Sequence, residues 1–188
     1  MRSDRVSDVL VDHRAAMSQI ASILLLPGIV AFAIPAVIIY QSRVVHLGGW
    51  LSWPASLVLA AFGLLLMGAG LALMYSTIKL FATEGRGTLA PWDPPQRLVA
   101  RGVYRHVRNP MMFGVFLVLF SEAACFGFPS LLYWFLMVMS LNLVYIPLLE
   151  EPGLERRFGD DYKLYKRSVR RWIPRWHPWH APWEQNPP

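Results

Sequence analysis

An all-α fold, a polytopic membrane bundle of about four transmembrane helices, is what this sequence predicts, and three observations predict it. Of its 188 residues 55% are hydrophobic and only 16% are charged, outside the usual balance of a soluble globule. Four apolar runs recur along the chain, close to the roughly 20 residues that cross about 30 Å of hydrocarbon. Between them the Lys and Arg counts alternate: three, one, five, none and eight from the first flank to the last. Under the positive-inside rule that alternation places both termini on the cytoplasmic side of a multi-pass protein.

The elements follow in order. Residues 1–19 mix Arg2, Arg5 and Arg14 with Asp4, Asp8 and Asp12, a cytoplasmic surface segment rather than the basic head of a cleaved leader. Residues 20–40 are uncharged and long enough to span, with Pro27 and Pro35 expected to kink them. A short loop with Trp50 and Trp53 leads to a second run, 51–81, longer than one crossing needs, so it tilts or emerges at its Lys79 end. Gly68 and Ala72, one helical turn apart in it, are candidates for close helix packing. Residues 20–81 thus form two N-terminal spans. A polar loop rich in Gly and Pro then carries Arg86, Arg97, Arg101, Arg105 and Arg108. Runs 111–126 and 130–149 are separated only by Gly127-Phe128-Pro129, a link so short that they form an antiparallel helical hairpin. The basic loop, hairpin and polar C-terminal segment make one core, 82–174, and residues 175–188 a Trp/Pro-rich tail.

The net charge of +6 sits in blocks beside apolar segments with no soluble binding domain around them. That argues for anionic lipid headgroups or an anionic small molecule as partners and against nucleic acid. The lone Cys125 cannot form an internal disulfide, and in an apolar run it packs as a small hydrophobe. His177 and His180 in the tail have a metal-like spacing but lack the further ligands a zinc site needs, so no metal is expected.

The pattern Gly102-x-Tyr104-x-x-Val107-Arg108-Asn109-Pro110-Met111 opens an apolar helix. It is followed beyond the hairpin by Glu150-Glu151-Pro152-x-Leu154-x-x-x-Phe158-Gly159-x-x-Tyr162-x-x-Tyr165-x-x-x-Val169-x-Arg171-Trp172-Ile173-Pro174. These two blocks resemble the membrane methyltransferase family of isoprenylcysteine carboxyl methyltransferases and, more distantly, phospholipid N-methyltransferases, over about 98–174. The resemblance implies S-adenosylmethionine in a pocket at the cytoplasmic membrane surface and a substrate reached from the lipid. It also implies a helical bundle in place of the soluble nucleotide-binding methyltransferase fold; no Gly-rich fingerprint after a strand is present. By position, Arg108-Asn109-Pro110 matches the family's Arg-His/Asn-Pro turn and Glu150-Glu151 its paired acids. Met112 stands where the family often has tyrosine, a departure.

The chemistry of such a cofactor, with its carboxylate, amine, sulfonium, ribose and adenine, requires opposite charges close together. Arg108, or Arg105 if the turn rotates it inward, can clamp a carboxylate through its planar fork; either can equally meet lipid phosphate. His106 can hydrogen-bond the cofactor or act as a base, or stand hydrated at the interface. Asn109 and Pro110 fit a turn whose helix N-terminus favours an anion, or ordinary capping. Adjacent Glu150 and Glu151 diverge by about 100° on a helix, so one can take a ribose hydroxyl or the ammonium while the other pairs with an arginine. Tyr104, Tyr162 and Tyr165 suit adenine packing or a cation–π contact with the sulfonium, and also an ordinary interfacial belt. Val107 and Gly114, beside the turn, complete the expected cofactor-binding set. Glu122 lies within the third span, where an ionisable group is costly and usually functional; it lines the substrate path or accepts a proton, or else reaches the far interface. Arg108, Glu150 and Glu122 are the expected catalytic residues.

Methyl transfer is an in-line displacement on a carbon whose leaving group is already good, so alignment and exclusion of water matter most. The activity that the resemblance implies is S-adenosylmethionine-dependent transfer to a lipidic or small hydrophobic acceptor at the cytoplasmic face. Two alternatives share the sequence features: an NADPH-dependent sterol-type membrane reductase, and a non-catalytic scaffold whose basic face binds anionic lipid.

Overall fold

The computed structural model describes residues 27–42, 52–84 and 98–185. The predicted segment 1–19, the start of the first apolar run, and Arg86 and Arg97 lie outside them. Among the described residues the chain is helical, without a strand. Helix α1, Ile29–Ser42, opens with a π-turn over Ile29–Ala33. Its cause is local: Pro35 has no N–H to return to the carbonyl four residues back, and its ring crowds that carbonyl, so the backbone widens just ahead of it.

Helix α2, Ala55–Glu84, has 30 residues and a length of about 45 Å. Helices α3, Pro110–Phe126, and α4, Pro129–Tyr145, have 17 each. Both begin with proline at the first helical position, where the missing N–H costs nothing. Between them Gly127 adopts φ +66° and its N–H closes on the Ala123 carbonyl at 3.0 Å, a left-handed cap that favours glycine. The expected hairpin results, and the C-terminal ends of α2 and α4 meet the start of α3 at one end of the bundle.

By length and composition two helices can cross a membrane, over Ala55–Leu80 and within Pro129–Ser168, with mean hydropathies of 2.4 and 1.8. Helices α1 and α3 are apolar but shorter, because Pro110 and Gly127 bound α3 tightly.

The α2–α3 seam is built on glycine. A Cβ on Gly70 would stand 2.8 Å from the Gly114 carbonyl oxygen, and one on Gly114 2.9 Å from that of Gly70. Gly63 likewise lies against Ser121 and Cys125 of α3. The predicted pair behaves differently: Gly68 has nothing within 4 Å of its Cβ position and Ala72 is exposed. They sit about 100° or more around α2 from the seam, since Gly63 and Gly70, two turns apart, define its face. Val115, Val118 and Leu119 of α3, Met74 of α2 and Val138 of α4 belong to the core, where close van der Waals packing, not removal from water, holds helices together in lipid. Trp134 Nε1 donates to the Val30 carbonyl at 3.0 Å, tying α4 to the π-turn of α1.

Beyond α4 a second π-turn, Ile146–Glu150, leads into α5, Glu151–Ser168. At Gly159 the backbone leaves helical space, with φ +56° and ψ −129°, a region that suits glycine. Leu154, Phe158, Tyr162, Tyr165 and Val169 recur at helical spacing and pack with Leu98, Ala100, Trp179, Ala181 and Trp183, the last of these in the short α6, Pro182–Gln185. This second core carries residues 98–100, α5 and the tail as one layer at the end of the bundle.

Candidate functional site

The basic turn is where the layer and the bundle meet. Gly102, at φ +53°, starts a 3₁₀ turn over Gly102–Arg105, and the chain enters α3 at Pro110. The C-terminal segment holds this turn through backbone hydrogen bonds: Arg108 N–H to the Arg170 carbonyl (3.0 Å), Arg175 N–H to that of His106 (2.9 Å) and Trp179 N–H to that of Arg105 (3.1 Å). Tyr165 Oη donates to the Tyr104 carbonyl at 2.8 Å, and the Arg175 guanidinium donates to the Ser168 carbonyl. Val107 is buried. The turn is thus held by three backbone hydrogen bonds to the C-terminal segment and by the Tyr165 hydroxyl.

At its centre is Glu151, only 2% exposed. Its Oε1 accepts from Arg108 Nη1 and Arg171 Nε, both at 2.7 Å, and its Oε2 from Arg171 Nη2 at 2.8 Å, with Lys166 Nζ at 3.5 Å. Lys166 also pairs with Glu155 at 2.6 Å. Burial on its own would push the Glu151 carboxyl up. The Arg171 hydrogen bonds and the charges of Arg108, Arg171 and Lys166 outweigh it and hold the carboxyl below the ordinary range, and the same hydrogen bond raises Arg171. A bidentate guanidinium on a buried carboxylate fixes geometry as well as charge.

Glu150, one residue earlier, is exposed and makes no hydrogen bond or ion pair among the described residues. The two acids therefore face different ways, one inward to arginine and one outward, as their helical divergence requires. The three tyrosines are buried: Tyr162 and Tyr165 lie with ring centroids 6.2 Å apart, and Trp179 lies 5.6 Å from Tyr165. Burial, first, and the neighbouring carboxylates push the Tyr162 hydroxyl up to about 12. Gly114 belongs to the α2–α3 seam and Pro110 to the buried start of α3. Glu122 is buried, with Oε2 lacking a partner among the described residues. Twelve residues along α3 from Pro110, it stands about 18 Å from the turn and shares no site with Arg108.

Three residues of this arrangement received no role from the sequence: Lys166, Arg171 and Trp172. The last two stand inside the quoted C-terminal pattern, so the signal was there; that Arg171 in particular meets Glu151, 20 residues earlier, was not visible. Trp172 stacks on Phe116 of α3 at 5.3 Å and joins the layer to the bundle. Around the start of α3 three buried donor atoms have no partner among the described residues: Arg108 Nε, Asn109 Nδ2 and Trp172 Nε1. Asn109 holds the N-cap position without making a side-chain cap bond. Buried unpaired donors are rare and costly, and these stand at a helix end that already favours negative charge. A cleft of about 500 Å³ opens between Ser76 and Leu80 of α2, Arg105 and His106 of the turn, and Pro178.

Apolar helices long enough to span, with a cationic turn and a cleft at one end of the bundle, are the features of a membrane-bound protein. The chain belongs to the phospholipid methyltransferase family, which matches residues 58–161, more than half its length and including α3, α4 and the Glu150-Glu151 pair. Methyl transfer involving lipid-type substrates is that family's activity. No curated protein and no solved structure matches the chain.

Proposed function

We propose that this protein transfers a methyl group from S-adenosylmethionine to a lipidic or small hydrophobic acceptor at the cytoplasmic face of a membrane it crosses four times. The observation that carries the reading is the set of unpaired buried donors, Arg108 Nε, Asn109 Nδ2 and Trp172 Nε1, beside the first turn of α3. Donors of this kind fit the cofactor's carboxylate, and the outward-facing Glu150 carboxylate fits its ammonium or a ribose hydroxyl. Glu151 is the brace: by engaging Arg108 through Nη1 it fixes that guanidinium beside the first turn of α3. Bound there, S-adenosylmethionine supplies an electrophilic methyl group on a cationic sulfur. The chain's own share is to orient that group, exclude water with the Trp172 and Phe116 layer, and present the acceptor in line. The alternation of basic flanks supports the four crossings and the cytoplasmic placement of the turn and C-terminal segment.

Calorimetric titration of detergent-purified protein with S-adenosylhomocysteine tests the cofactor assignment. Wild type binds it, NADPH gives no heat, and Arg108→Ala and Glu150→Ala each weaken binding about 10-fold or more, the worth of one charged hydrogen bond. Binding of NADPH alone, or binding unaffected by both substitutions, would refute it.

A further inference from the structure

The cleft between α2 and the basic turn contains a histidine whose two ring nitrogens have different duties. His106 Nδ1 lies 2.8 Å from the Arg175 carbonyl oxygen. A carbonyl only accepts, so Nδ1 carries the hydrogen and Nε2 carries the lone pair of the neutral ring. The anchor is reciprocal, because the N–H of the same Arg175 donates to the His106 carbonyl at 2.9 Å; tautomer and ring orientation are fixed together. Nε2 has no partner among the described residues and is not sealed from the surface, and His106 lines the cleft. If Nε2 takes a proton, the Nδ1–H bond to Arg175 persists and gains charge assistance. A carbonyl here performs the orienting task that a carboxylate performs for other catalytic histidines. Arg105 lines the same cleft, supplying positive charge for an anionic group, and among the described residues no carboxylate lines it.

We infer that His106 is a catalytic base: Nε2 takes the proton from an acceptor that arrives as an ammonium, while Arg105 holds the acceptor's anionic group. This rests on the methyltransferase reading above. The ammonium N–H bond breaks as Nε2–H forms, giving an imidazolium. The freed nitrogen lone pair then makes the new C–N bond while the C–S bond breaks with its electrons on sulfur, leaving a neutral thioether and a methylated ammonium; the imidazolium returns its proton to water. An amine that keeps its proton has no lone pair, so without the base only the small deprotonated fraction reacts.

The test compares wild type with His106→Asn, whose amide can still donate to the Arg175 carbonyl. Transfer from methyl-labelled S-adenosylmethionine to phosphatidylethanolamine vesicles is followed against pH, and S-adenosylhomocysteine binding is measured by calorimetry. Nitrogen-15 shifts of the wild-type ring report the tautomer. Expected are an Nδ1–H ring, nearly unchanged S-adenosylhomocysteine affinity, and a loss of about 10²–10⁴-fold in kcat near neutral pH. That loss shrinks as pH rises towards the ammonium's own pKa and is partly rescued by added imidazole. A pH-independent loss without imidazole rescue would make His106 a positioning residue, lost S-adenosylhomocysteine binding would make it a cofactor ligand, and activity equal to wild type would give it no role; each overturns the inference. Wild type that binds S-adenosylhomocysteine but methylates only acceptors without an amine overturns it while sparing the cofactor reading. Wild type that neither binds nor transfers overturns both.

Discussion

Glu150 and Glu151 are chemically identical neighbours with opposite environments, and substitutions at them should separate cleanly. Glu151→Ala leaves the nearly buried Arg108 and the part-exposed Arg171 without their shared carboxylate and is expected to cost about 3 kcal/mol, the low end for a broken buried pair, read as a drop in detergent Tm. Glu150→Ala, exposed and without a partner, should leave Tm within a degree or two while weakening cofactor binding. The pH dependence has a definite sign. Because the folded-state Glu151 carboxyl is held below its ordinary value by Arg171, Arg108 and Lys166, its stabilisation is present above the unfolded carboxylate pKa of about 4.3 and is lost as pH falls through the folded value. Glu151→Gln should flatten that acid limb of the Tm–pH curve; an unchanged limb would show that other groups govern it. At this scale the sequence made much visible: the divergence of the two acids, and an arginine as the partner of one. Which acid turned inward was not visible, because that depends on the π-turn Ile146–Glu150, which adds a residue to the turn and shifts the register of everything after it.

Helix seams show the same division between what patterns reveal and what partners decide. Apolar run lengths gave α2, α3, α4 and the hairpin, since Gly127 and two prolines punctuate the chain unambiguously. Small-residue spacing did not single out the seam: Gly63, Gly68, Gly70 and Ala72 all lie on α2, and only the position of α3 selects Gly63 and Gly70. Accordingly Gly70→Ala and Gly114→Ala, whose new Cβ atoms would meet backbone oxygen at 2.8 and 2.9 Å, should each destabilise by about 1–3 kcal/mol. Gly68→Ala, with open space around it, should be neutral or stabilise by up to about 1 kcal/mol through helix propensity. Equal effects at all three positions, measured by thermal unfolding, would contradict this packing. Tyr104, Tyr162 and Tyr165 extend the lesson. Their aromatic rings suited ligand contacts or an interfacial belt; in the fold all three are buried, and Tyr162 and Tyr165 pack with Leu154, Phe158 and Val169 in the core that docks α5.

Across the whole molecule, the C-terminal segment is what turns a helical hairpin into a shaped site. Residues 170–179 clasp the basic turn by backbone bonds, and Trp179, Ala181 and Trp183 close the second core. None of this follows from composition, because a Trp/Pro-rich end has no periodicity to read and its partners lie about 75 residues away in sequence. Trp179→Ala should therefore cost about 2 kcal/mol and lower cofactor affinity without touching the ligand, a change measurable by thermal unfolding and calorimetry together. The central claim is that this membrane-embedded frame moves a methyl group onto a lipidic acceptor, and one assay addresses it most directly: tritium transfer from methyl-labelled S-adenosylmethionine into the organic extract of membranes containing the protein. The account predicts label in the lipid fraction with wild type and its loss with Arg108→Ala; label confined to water-soluble product, or none from protein shown to be folded, would contradict it.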